Sequence, residues 1–146
     1  MALILVVDDE QPIRQLLARA IKTAGHEVMD ADSSDAALKV MEERAAGVVF
    51  TDIQMPGQDG RWLTNELRRR YPLTAVVLAT SVKNIEPQIS LQWGVLSYLT
   101  KPFDLASVKT ALDIAVAWHN ERVASGPKET DFNDRLGEWL DSLDLL

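Results

Sequence analysis

The chain has 146 residues, 47% of them apolar and 25% charged, with a net charge of -7, which is enough for one domain with a real core and too little for two full-sized ones. It has no cysteine, which excludes disulfides, thiol chemistry and Cys-based zinc sites, and His26 and His119 are too few for a His-rich centre, so any metal must be held by oxygens. No apolar run approaches the roughly 20 residues of a membrane helix, and Met1-Ala2-Leu3 lacks the layout of a secretory signal, so the expected location is cytoplasmic, away from membranes.

Leu3-Ile4-Leu5-Val6-Val7 reads as a strand buried on both faces, and Asp8-Asp9-Glu10 follow at its C-terminal end. Pro12 suits a first helical turn, and Ile13, Leu16, Leu17, Ala20, Ile21 and Ala24 recur at helical spacing until Gly25. Glu27 to Ala31 is a second strand. A helix capped by Ser33 or Ser34 carries Ala37, Leu38 and Met41 and is expected to end at Gly47. Val48 to Thr51 forms a third strand that delivers Asp52 to its end, and Pro56-Gly57-Gln58-Asp59-Gly60 is a loop dense in turn formers.

Trp62, Leu63, Leu67 and Tyr71 outline a third helix that stops before Pro72. The run Arg68-Arg69-Arg70 lies at its end, where cations favour the helix dipole, and nothing else resembles a basic stripe, so direct nucleic-acid binding by this chain is not expected. Ala75 to Ala79 is a fourth strand ending in Thr80-Ser81, a fourth helix is expected from Asn84 to Trp93, and Val95 to Leu99 is a fifth strand followed by Thr100-Lys101-Pro102-Phe103. Asp104 then caps a long helix to Val123 with Leu105, Val108, Leu112, Ala115, Val116 and His119 on one face. The alternation predicts an α/β fold with a doubly wound, five-stranded parallel sheet and helices on both faces. Right-handed crossovers put all strand C-termini on one edge, where ligands of such sheets bind.

That edge gathers Asp8, Asp9, Asp52, Thr80, Ser81 and Lys101. Two acids from the first strand and one from the third form a hard, oxygen-only site suited to Mg²⁺. Beside such an ion Asp52 is placed to act as a nucleophile toward phosphorus. Lys101 offers a point charge and the Thr80 hydroxyl a donor for the phosphoryl oxygens. Taken singly, each of these residues has an ordinary structural use, as a solvated turn, a loop hydroxyl or a loop charge. Their joint occurrence, each directly after an apolar strand, is what points to chemistry.

The segments Val6-Val7-Asp8-Asp9-Glu10, Asp52-Ile53-Gln54-Met55-Pro56 with Asp59-Gly60, Ala79-Thr80-Ser81 and Tyr98-Leu99-Thr100-Lys101-Pro102-Phe103 resemble the response-regulator receiver domains of two-component signalling, over residues 3 to 123. The resemblance implies a flavodoxin-like strand order 2-1-3-4-5 and a signalling phosphoacceptor rather than an enzyme, with self-catalysed phosphorylation and dephosphorylation. It implies phosphoryl transfer to Asp52 from a histidine kinase or a histidine phosphotransfer protein. It further implies Mg²⁺ bound directly by Asp9, Asp52 and the Gln54 backbone carbonyl, with Asp8 acting mainly through water, and a switch pair of Thr80 and Tyr98 that reshapes the surface of helix four, strand five and helix five to control a partner or output domain. Gln54 and Val82, two residues past Asp52 and Thr80, stand where this family gates water attack, which implies a distinctive phosphoryl lifetime. Trp93 and Val95 are bulkier than is usual there, and Ser97 stands where one large transcription-factor subfamily has an acid.

Residues 1–123 therefore read as the receiver and 124–146 as a linker with an acidic amphipathic C-terminal helix. Within residues 125–146 six acids face two bases, and Phe132, Leu136, Trp139, Leu140 and Leu143 recur at helical spacing. So short a helix needs a cover for its apolar stripe. The stripe of Ala111, Ile114 and Trp118 on helix five is the expected dock, within the chain or on a neighbouring subunit of a homodimer. Two rival functions fit less well. A haloacid-dehalogenase-type hydrolase requires an acid two residues after its nucleophile, where this chain has Gln54, and a flavin module requires a hydroxyl-rich first loop, where it has Asp8-Asp9-Glu10.

Overall fold

The computed structural model describes residues 2–80 and 97–125, with the side chains of residues 80, 97 and 98 outside that description. The expected helix 84–93, the positions Val82, Trp93 and Val95, the Thr80 and Tyr98 side chains and the C-terminal amphipathic helix all lie outside the described residues. The described elements run β1 (Leu3–Val7), α1 (Gln11–Thr23), β2 (Glu27–Ala31), α2 (Ser34–Glu43), β3 (Val48–Thr51), α3 (Gly60–Arg70), β4 (Ala75–Thr80), β5 (Ser97–Thr100) and α4 (Leu105–Ser125).

The five strands form one parallel sheet in the order β2-β1-β3-β4-β5. Alternation along each strand divides its side chains between two cores. Leu5, Val7, Val49, Val76 and Leu78 face Leu38, Met41, Leu63 and Leu67 of α2 and α3. Ile4, Val6, Val48, Phe50 and Val77 face Leu17 and Ile21 of α1 and Val108 and Leu112 of α4. Both faces are covered, which is why the central strands read as unbroken apolar runs. Val7 pairs with Ala31 on one side and Thr51 on the other, so β1 and β3 end level and Asp8 and Asp52 leave the sheet side by side.

The helix signals act locally as their chemistry requires. The Ser33 side chain accepts from the Ala36 N–H, Asp59 accepts from the N–H groups of Arg61 and Trp62, and Asp104 accepts from the Ser107 N–H. Gly25 takes a positive φ of 94° just past Ala24, the C-cap of α1.

Three expectations need correction. Helix α2 ends at Glu43 rather than at Gly47, because the Ala46 side chain is buried and the Gly47 N–H is already drawn to the Leu3 carbonyl beside β1. Leu16, Ala24 and Leu105 are exposed, Leu105 to 66%: Leu16 sits at the flank of the buried Leu17–Ile21 face of α1, Ala24 caps its end and Leu105 opens α4. Ala111, assigned to an outer stripe, is buried in the core, and Trp118 packs partly against it, leaving only Ile114 of that trio exposed.

At the opposite edge from the strand C-termini, the His119 Nδ1 lies 2.7 Å from the Leu73 carbonyl. Its ring occupies the space over Gly47, where a Cβ would come within 2.6 Å of the imidazole. A side chain at position 47 would therefore collide with the His119 ring and contest its place beside the Leu73 carbonyl.

Candidate functional site

Each acid arrives at the upper edge because a buried strand runs out beneath it. Asp8 continues the ladder by one bond, its N–H donating to the Ala31 carbonyl at 3.1 Å, and the Asp52 N–H likewise donates to the Val7 carbonyl at 3.1 Å. After Asp52 the chain is pinned by the burial of Ile53 and Met55. Gly60 packs against the Asp52 carbonyl so closely that any Cβ would overlap it. Its N–H donates to the Ile53 carbonyl, and the buried Ser34 hydroxyl reaches the carbonyls of Gln58 and Asp59. The loop behind Asp52 is thus held at both ends.

Asp8, Asp9, Glu10 and Asp52 present carboxylate oxygens that all lie within 4.8 Å of one another. Asp8 and Asp52 are buried, whereas Asp9 and Glu10 face solvent. Lys101, itself buried, sets its Nζ 2.7 Å from Asp8 Oδ2, 3.1 Å from Asp52 Oδ2 and 3.7 Å from Glu10 Oε1. The contact with Asp52 is a hydrogen bond, while Asp8 Oδ2 faces the ammonium without hydrogen-bond alignment and keeps a free acceptor site. The other Asp8 oxygen accepts from the Glu10 N–H at 2.9 Å. The Gln54 N–H lies 3.4 Å from Asp52 Oδ1, with the Gln54 side chain exposed.

Burial raises the Asp8 pKa above the ordinary carboxylate value, against the pull of Lys101 and the Glu10 N–H and with the Asp52 charge adding to the rise. Burial acts to lower Lys101, yet its close contacts with the Asp8 and Asp52 carboxylates outweigh this and raise its pKa, holding the ammonium charged. Four acids and one lysine leave the cluster short of positive charge. An oxygen-only set with a buried, incompletely satisfied carboxylate oxygen fits a hard divalent cation such as Mg²⁺.

Of the residues expected from sequence, Asp8, Asp9, Asp52 and Lys101 come together here, and Gln54 stands at the rim. The Thr80 backbone pairs with Thr100 next to Lys101, and Tyr98 pairs with Leu78 one turn of the ladder earlier. Glu10 and Arg14 were not expected at the site. Glu10 was legible as the third of three consecutive acids. Arg14 carried no such signal, since its position on the inner flank of α1 depends on how the helix packs against the sheet.

The response regulator receiver domain family matches residues 4–113. The chain is 30% identical over 136 residues to the DNA-binding transcriptional regulator NtrC of Klebsiella pneumoniae, covering 91% of this chain and 29% of that protein. It is 36% identical over 104 residues to the response regulator protein FleR of Pseudomonas aeruginosa, covering 70% of this chain and 22% of that one. The chain thus spans less than a third of the length of these relatives. Among solved structures, the receiver domain of NtrX from Brucella abortus is similar with a TM-score of 0.73 and 35% identity, covering 78% of this chain and 98% of that one. The response regulator TrrA of Thermotoga maritima, solved with Mg²⁺ and BeF, is similar with a TM-score of 0.72 and 30% identity, covering 79% and 99%. With the strand order, the acidic cluster and the paired lysine already in place, these matches make the chain a member of the response regulator receiver domain family of two-component signalling.

Proposed function

We propose that the chain is a phosphoryl-accepting switch in which Asp52 is the acceptor and a histidine kinase or histidine phosphotransfer protein is the donor. The observation that carries this reading is the contact of buried Lys101 with both Asp8 and Asp52 inside a cluster of four acids. An Asp52 carboxylate oxygen attacks phosphorus, the bond from phosphorus to the donor imidazole nitrogen breaks, and its electron pair stays on that nitrogen. Lys101 exchanges its contact with Asp52 for one with the incoming phosphoryl oxygens, and the Thr80 hydroxyl donates to another. Asp9, Asp52 and the Gln54 backbone carbonyl would hold Mg²⁺, with Asp8 reached mainly through water. When bound, that ion neutralises the acids and clamps a phosphoryl oxygen.

On this reading Thr80 moves toward the new charge and Tyr98 turns inward, reshaping the surface made by residues 84–93, β5 and α4 for a protein partner or output domain. Residues 1–123 are the receiver, and 124–146 link it onward. The Klebsiella pneumoniae relative is named a DNA-binding transcriptional regulator, and the match covers 29% of its length. We therefore extend the proposal to control of such an output by the receiver, with the receiver itself making no nucleic-acid contact. Intact-mass spectrometry after acetyl phosphate should give one Mg²⁺-dependent phosphoryl adduct on the native chain and none on Asp52→Asn. An adduct of equal yield on both proteins would refute the assignment.

A further inference from the structure

Beside the acidic cluster, on α1, lies a half-buried cation that the phosphoacceptor reading does not use. Arg14, on the second turn of α1, donates from Nη1 to the Asp8 carbonyl at 2.7 Å and from Nε to Asp30 Oδ2 at 3.0 Å. Its side chain is only 15% exposed. Asp30 is the penultimate residue of β2, so the guanidinium joins the ends of two neighbouring strands. The carbonyl it holds belongs to the peptide between Asp8 and Asp9.

We infer that Arg14 is a positioning residue for the metal-binding acids, fixing the plane of the Asp8–Asp9 peptide so that the Asp9 carboxylate leaves the strand toward Asp52. This rests on the proposed metal site. Asp8 is already held through its N–H by Ala31 and through its carboxylate by the Glu10 N–H and Lys101. Asp9 is exposed, and among the contacts described no side-chain partner orients it. The path of the backbone into Asp9 therefore depends on the preceding peptide, whose carbonyl Arg14 grips. The planar fork suits this use: one edge bonds the carbonyl while Asp30 holds Nε and fixes the rotation of the plane.

A purely electrostatic role would have the opposite sign. Arg14 is a positive charge near a cation site and by Coulomb repulsion weakens Mg²⁺ binding. Asp30 offsets that charge locally. Removing Arg14 therefore lowers Mg²⁺ affinity if geometry dominates and raises it if charge dominates.

The test is calorimetric titration of the full chain with MgCl₂ at 25 °C, comparing native, Arg14→Met and Arg14→Lys proteins, each with a native far-UV circular dichroism spectrum. Both variants should bind Mg²⁺ on the order of tenfold more weakly, the usual cost of losing a group that orients a metal ligand. Arg14→Lys tests the inference even if Arg14→Met does not fold, because it keeps the charge and loses the fork. Native affinity in Arg14→Lys, or tighter binding by Arg14→Met, would overturn the positioning role while leaving the metal site standing. No Mg²⁺ binding by the native chain would overturn the site and this inference together.

Discussion

Replacing Lys101 with Met removes the buried ammonium that contacts both Asp8 and Asp52 and leaves two buried carboxylates close to each other. At an effective dielectric of about 20, the contacts at 2.7 and 3.1 Å represent roughly 6 and 5 kcal/mol of gross attraction. Desolvation of the ammonium and of both acids offsets much of that, and breaking a buried pair by removing one partner costs a net ~3–5 kcal/mol. For a chain of this size that corresponds to a fall in Tm on the order of 10 °C. Because Asp8, already raised by burial, loses the cation that pulls it down, the loss should be largest at high pH and shrink as pH falls and Asp8 protonates. Because a divalent cation does the same compensating work, the loss should also shrink when Mg²⁺ is added. Urea denaturation of both proteins, with and without Mg²⁺, measures each term. A loss below about 1 kcal/mol, the value of an exposed pair, or a loss unchanged by Mg²⁺, would refute the reasoning.

Gly60→Ala forces a Cβ onto the Asp52 carbonyl and should cost about 1–3 kcal/mol in urea unfolding and displace Asp52; a neutral effect on both stability and Mg²⁺ affinity would contradict the close approach. Gly47→Ala meets the His119 ring and should destabilise by a similar ~1–3 kcal/mol, and combining it with His119→Ala should restore part of the loss, so strictly additive effects would argue against the contact. Asp104→Ala removes a cap whose carboxyl is held below 3.8 by the Ser107 N–H. A depressed pKa gives stability that is present above the unfolded value and lost as pH falls through the folded one, so the Tm gap between native and variant should persist at neutral pH and close in acid below about pH 4.

The central strands were readable because β1 and β3 are buried almost throughout and each runs straight into an acid, and Leu3–Val7 and Glu27–Ala31 lie where the pattern put them. Helix faces were less readable. Helical spacing marked Leu16 and Leu105 as core, but spacing states only which residues share a face, not how far the sheet extends beneath them. The acids and Lys101 could be grouped because strand ends in a parallel sheet share an edge by topology. Arg14, Ser34 and Gly60 could not be found that way. Their roles depend on contacts across 6, 24 and 8 residues to backbone carbonyls, and a carbonyl carries no sequence signature.

The central claim is that Asp52, and no other acid of the cluster, carries the phosphoryl group. After treatment with acetyl phosphate and Mg²⁺, borohydride reduction converts an aspartyl phosphate to homoserine, and tryptic cleavage at Arg44 and Arg61 isolates the peptide that holds both Asp52 and Asp59. Tandem mass spectrometry should find homoserine at position 52 alone. Homoserine at Asp8, Asp9 or Asp59, or none anywhere in the native chain, would contradict the account.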